Sequence, residues 1–223
     1  MIIVLSAMAG ALVGAIGARS LPDHAPSPFA HATVPGSEAT RTPTTTVLQL
    51  AGAGAVLFTV LAMLIGASTV LPAWLALAGF GLALAVIDGY HHRLPNRLVA
   101  PALLVGVLLL GAHGMLAGDP AAVARALAGS VALFAFYLVL ALISPSQLGM
   151  GDVKLAAVIG LYLGWLGWGP WVLGAAAGPA IGAFASGAVL IRARLARQKG
   201  RAGSVAFGPS MLAGVLAVVL LQV

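Results

Sequence analysis

Apolar residues run along this chain in long blocks rather than in the alternation of a half-buried strand or the narrow stripe of a soluble amphipathic helix. Eight blocks approach the roughly 20 residues that an α-helix needs to cross a bilayer. They are Met1–Ala18, Val47–Gly66, Pro72–Asp88, Leu98–Leu116, Ala121–Ile143, Asp152–Trp168, Trp171–Arg192 and Phe207–Val223. The breaks between them are short, with one exception. Residues 19–46 hold five of the 13 prolines, six threonines and almost no large apolar side chain, a composition that cannot build a core and predicts a flexible loop. The first block ends in small residues, as a signal peptide does. It lacks a positive n-region, however, and its first arginine, Arg19, follows the apolar run, so it is read as a retained helix.

Composition sharpens this pattern into a fold class. Of 223 residues, 61% are hydrophobic and 7% charged, against about 25% charged in soluble domains. Mean hydropathy is +1.08. A soluble enzyme, a nucleic-acid binder and a disordered tail are excluded, because so few charges cannot cover a water-facing surface. The expected fold is all-α: a polytopic membrane bundle of about eight transmembrane helices. It divides into a first transmembrane helix (1–18), a flexible cytoplasmic loop (19–46) and a membrane domain (47–223). There is no cysteine, which excludes disulfides, thiol catalysis, Cys-ligated zinc and iron–sulfur clusters.

The net charge of +6 acts here as an orientation signal. If every block crosses, Arg93, Arg97, Lys154, Arg192, Arg194, Arg197, Lys199 and Arg201 all fall on one side, and Arg125 alone on the other. The basic side is therefore the cytoplasmic one. The run Arg192–Arg201 joins two spans and has no interleaved aromatic residue, which fits anionic-lipid contact and not nucleic acid. Trp165, Trp168 and Trp171 cluster near the external boundary as an interfacial belt. Glycines at four-residue spacing, Gly10/Gly14, Gly160/Gly164 and Gly174/Gly178/Gly182, predict close helix packing.

Candidate chemistry lies in the acidic residues, of which there are five. Asp23 and Glu38 sit in the polar loop, and Asp119 in the turn Gly118-Asp119-Pro120. Asp88 and Asp152 instead stand at the edges of apolar blocks, where a carboxylate is costly and functional by default. Two crossings separate them, so both return to the cytoplasmic face. Two carboxylates sharing a site cannot both ionise freely, which leaves one acid and one base near neutral pH. Such a pair activates water against an amide and protonates the departing group. After Asp88, the segment Gly89-Tyr90-His91-His92-Arg93-Leu94-Pro95-Asn96 forces a turn at Pro95. Before Asp152, Gly149 and Gly151 permit positive φ and close backbone approach. They also put Asp152 near a helix N-terminus, where the dipole favours its carboxylate form.

At these residues the chain resembles the prepilin peptidases, GxGD-type aspartic proteases of bacterial membranes. Gly149-Met150-Gly151-Asp152-Val153-Lys154 looks like their GxGDxK motif. Asp88 with Leu94-Pro95-Asn96 looks like their first motif, and Phe207-Gly208-Pro209 like the opening of their last span. The resemblance covers about Val47 to Val223. It implies that Asp88 and Asp152 are the catalytic pair, supported by Gly149, Gly151, Lys154, Pro95 and Asn96. It also implies removal of a short basic leader from type IV pilin-like precursors at the cytoplasmic face of the bacterial inner membrane, typically after a glycine. The implied partners are that precursor and membrane lipids, without nucleic acid. Longer members carry a domain with two Cys-x-x-Cys pairs and methylate the new N-terminus with S-adenosylmethionine. Here the corresponding place is the cysteine-free loop 19–46, so a peptidase alone, without cofactor or metal, is expected.

The remaining residues have plainer readings. His91 and His92 have no third ligand that would make a metal site, and His92 lies one turn beyond Asp88 if the helix persists. Lys154 either snorkels to the interface or contacts substrate. Two rival functions stay in view. A presenilin-like protease would have a tyrosine before its first aspartate and a Pro-Ala-Leu-Pro segment near its end, whereas here Ile87 precedes Asp88 and the end carries Phe-Gly-Pro. A proton- or cation-coupled transporter needs a polar path, yet the outer halves of these blocks hold almost no ionisable residue.

Overall fold

Helices begin and end where the chain supplies a turn. The computed structural model describes residues 6–10, 43–91, 96–143, 149–195 and 207–221. Residues 6–10 are helical (α1). There follow α2 (Pro43–Ile65), α3 (Leu71–His91), α4 (Asn96–Leu116), α5 (Pro120–Ile143), α6 (Met150–Leu166), α7 (Trp168–Leu195) and α8 (Phe207–Leu221). No strand occurs among the described residues, as an all-α chain requires. Pro95, His92, the basic residues from Arg197 to Arg201 and most of the loop 19–46 lie outside the described residues.

Among the described residues four helices are long and apolar enough to cross a membrane, through the stretches Leu48–Ile65, Leu71–Asp88, Leu98–Leu116 and Pro120–Ile143. The chain is thus a helical membrane bundle. α6 has 17 residues, or about 26 Å at 1.5 Å per residue, slightly short of a hydrocarbon core of roughly 30 Å. α2 starts at Pro43, inside the stretch read as loop, because proline is well suited to the first turn of a helix. α7 continues past Arg192 to Leu195 and carries Pro179 within it.

The turns follow from single residues. At the end of α2, Gly66 adopts φ 68° and donates its N–H to the Ala62 carbonyl at 3.1 Å. Between α4 and α5, Gly118 adopts φ 69°, a region open to glycine at little cost. Asp119 then caps α5: its Oδ1 accepts the Ala122 N–H at 2.9 Å, and Pro120 takes the first helical position. The turn Gly118-Asp119-Pro120 expected from sequence is therefore present, and Asp119 is a cap.

The chain divides into two compact units, Met1–His113 and Gly114–Val223. In the first, α1 and α2 meet through Gly10 and Gly54, each standing where the other's carbonyl would overlap any Cβ. Phe58, Leu61, Trp74, Leu77 and Leu84 are buried around them. The Thr69 hydroxyl and His113 Nδ1 share a hydrogen bond of 2.6 Å.

In the second unit α6 packs against α5, α7 and α8. α5 and α6 run antiparallel along a seam of small residues, where a Cβ at Gly160 would strike the Gly129 carbonyl and one at Gly164 the Arg125 carbonyl. Across this seam the Ser130 hydroxyl donates to the Ala157 carbonyl at 2.8 Å. Gly174 faces Leu163, and Gly178 faces Met211 and Gly214. Gly10, Gly160, Gly164, Gly174 and Gly178 thus occupy the close approaches their spacing predicts.

Candidate active site

The two aspartates enter from opposite kinds of helix end. Asp88 lies in the last turn of α3, the helix Leu71–His91, and is 6% exposed. Leu84, one turn earlier, is 1% exposed, so the carboxyl continues a buried apolar face. A negative charge in the last turn of a helix opposes the dipole. α3 is described to His91 and α4 from Asn96, and Pro95 lies outside the described residues.

Asp152 lies in the first turn of α6 and is half-buried, between Gly151 and the fully buried Val153. The dipole there favours a carboxylate. Gly149 is the N-cap residue, and its carbonyl accepts the Asp152 N–H at 3.0 Å. Its backbone corrects one expectation. At φ −74° and ψ 146° Gly149 is extended, a conformation open to any residue, and Gly151 lies within the helix. Positive φ is therefore not what glycine supplies at Gly149. A Cβ there would stand 3.4 Å from Asp152 Oδ2, an ordinary contact, so the carboxylate folds back over the start of its helix beside Gly149. Lys154, two residues on, is half-buried. Asp88 and Asp152 belong to different compact units, and each is described within its own.

Two features of the second unit escaped the sequence reading. Tyr137 of α5 is 1% exposed. It falls on the buried stripe Ala126, Gly129, Ser130, Leu133, Tyr137 and Ala141, a helical spacing the sequence displays but that becomes informative only once α6 is known to be the partner. The far end of the hairpin is tied by side chains. Arg125 donates from Nε to the Gly164 carbonyl at 3.0 Å and from a terminal nitrogen to the Trp165 carbonyl at 3.2 Å. Trp171 donates from Nε1 to the Gly129 carbonyl at 3.0 Å. Trp168, 53% exposed and edge-on to Trp171, fits an interfacial belt, whereas Trp171 fastens α7 to α5. Among the described residues no group of three or more His, Asp or Glu side chains could hold a metal ion.

The pattern defining the type IV leader peptidase family matches residues 75–191, a stretch that contains both aspartates. Several relatives share the name prepilin leader peptidase/N-methyltransferase. That of Burkholderia pseudomallei (strain K96243) is 35% identical over 150 residues, which are 64% of this chain and 46% of the relative. Those of Aeromonas salmonicida and Pseudomonas putida are 38% identical over 117 residues and 35% identical over 112, covering 49% and 50% of this chain and 39% and 38% of the relatives. The chain spans less than half the length of these relatives. No solved structure matches it.

Proposed function

Since the chain belongs to the type IV leader peptidase family, we propose that it is an aspartic endopeptidase that removes the basic leader from type IV pilin-like precursors. Asp88 and Asp152 are the proposed working pair. The observation that carries this reading is the family match over 75–191, which takes in two acids at the ends of apolar helices in a chain with only five. α4 and α5, the two helices between them, are each long and apolar enough to cross a membrane, which supports action at one face. The excess of basic residues around that face makes it the cytoplasmic side of the bacterial inner membrane.

In the proposed mechanism Asp152 begins as the carboxylate and Asp88 as the acid. The first turn of α6 suits a negative charge, while the buried last turn of α3 does not. Asp152 takes a proton from water as that water attacks the scissile carbonyl. Asp88 protonates the carbonyl oxygen, and the departing amine then receives a proton from the pair. No covalent intermediate with the chain is needed. Gly149 lies beside the Asp152 carboxylate, and Lys154 lies on the same helix turn for contact with substrate or headgroups.

The relatives' shared name also includes an N-methyltransferase. The peptidase half alone is proposed for this chain, because residues 19–46 contain no cysteine and little bulk. The test is co-expression with a prepilin in membranes. The parent chain should shorten the precursor, while Asp88→Asn and Asp152→Asn, inserted at parental levels, should leave it intact. Shortening by either variant at the parental rate sinks the proposal.

A further inference from the structure

The α5–α6 register brings one more side chain to the level of Asp152. Arg125 meets Gly164, Gly129 meets Gly160 and Ser130 meets Ala157. In an antiparallel pair, each step forward along α5 is matched by a step back along α6. Eight positions on from Gly129 is Tyr137, and eight positions back from Gly160 is Asp152. Tyr137 also lies on the α5 stripe that faces α6, since Gly129, Ser130, Leu133 and Tyr137 are all buried. Its ring is thus buried at the end of the seam, level with the first turn of α6 where Asp152 stands.

We infer that Tyr137 is a positioning residue for Asp152, its ring closing the α5–α6 seam below the carboxylate and its hydroxyl dipole holding the charged form in place. This rests on the reading of Asp152 as a working acid. A buried ring at the last close contact of two helices has one face for packing, and apolar residues serve there equally well. The hydroxyl is what a buried phenylalanine at this position would lack. A hydroxyl dipole at the level of a carboxylate turns its positive end towards the charge.

The packed helices carry few titratable groups. α5 otherwise carries only Arg125, which is bound at the opposite end of the hairpin. α8 carries no titratable residue, and the buried Ser210 is neutral. On α7 the titratable residues are Arg192 and Arg194, in its final turn. On α6 itself, Lys154 lies two residues from Asp152, and Tyr162 ten residues away, about 15 Å along the axis.

The test titrates Asp152 directly in the full chain. The carboxyl bands of isotope-labelled aspartate are followed by infrared spectroscopy in lipid nanodiscs, and the Asp152 band is assigned by its loss in Asp152→Asn. Tyr137→Phe keeps the ring and should keep the parental melting temperature, while the Asp152 midpoint moves to higher pH by roughly half a unit to one unit. The acid limb of prepilin cleavage should move with it. Placing 3-fluorotyrosine at position 137, a stronger donor of nearly equal shape, should move the midpoint the other way. An unmoved midpoint in both proteins overturns the inference. A parent chain that cleaves no prepilin, while Tyr137→Phe still shifts Asp152, overturns the proposed function and upholds the role of Tyr137.

Discussion

α5 and α6 are both apolar around their whole circumference, yet they are used in opposite ways. Of the 24 residues of α5, those buried form one stripe, Ala122, Ala126, Gly129, Ser130, Leu133, Tyr137 and Ala141, and its other faces show Val131, Phe136, Val139 and Leu142 outward. In the 17 residues of α6, Val153 and every position from Leu155 to Gly164 are buried. α5 has one buried face and exposes the others; α6 is enclosed by α5, α7 and α8. In a membrane the outward face is as apolar as the core, so hydropathy cannot separate the two cases. Length and small residues can. A helix sheltered by neighbours need not match the full hydrocarbon thickness. The glycines that let α5 come close lie where the two backbones meet.

That contrast breaks most readily at the seam. Gly160→Val places side-chain atoms against the Gly129 carbonyl and the Leu133 Cβ, neither of which can yield without parting the helices. The expected loss is about 3 kcal/mol, the upper end of overpacking effects, seen as a sharply lowered melting temperature in detergent. Gly111→Ala on α4, where a new Cβ meets nothing within 4 Å, should stay within about 0.5 kcal/mol of the parent by the same assay. Equal effects from the two substitutions would show that the seam is no tighter than an open helix surface. Between them in size lies Arg125→Met. It removes both guanidinium bonds to the C-terminal carbonyls of α6 and should cost roughly 1–2 kcal/mol, with earlier amide exchange at Gly167 and Trp168 than elsewhere in the hairpin.

The sequence displays much of this openly, for a physical reason. Block length and scarcity of charge identify the helices, because the bilayer leaves no alternative for an apolar run. Asp88 and Asp152 stand out for the same reason: in so apolar a chain, an acid at a helix edge has no surface role to hide in. The glycine repeats on α6 and α7 are visible as well. What is not visible belongs to their partners. Gly129 forms no four-residue glycine repeat and becomes meaningful only opposite Gly160. Tyr137 gains its place from a register that two distant turns fix together. Trp171 looks like any interfacial tryptophan until its indole meets the Gly129 carbonyl. At Gly149 the sequence suggests positive φ, yet the backbone is extended.

The most direct measurement is prepilin cleavage by the purified parent, Asp88→Asn, Asp152→Asn and the double variant, each reconstituted in liposomes and checked for equal melting temperature. Two carboxylates that act as one unit give non-additive losses. Each single variant should then fall at least about 1,000-fold, to the same floor as the double variant. Independent, multiplying losses, or one asparagine variant that keeps the parental rate, would contradict a shared catalytic pair.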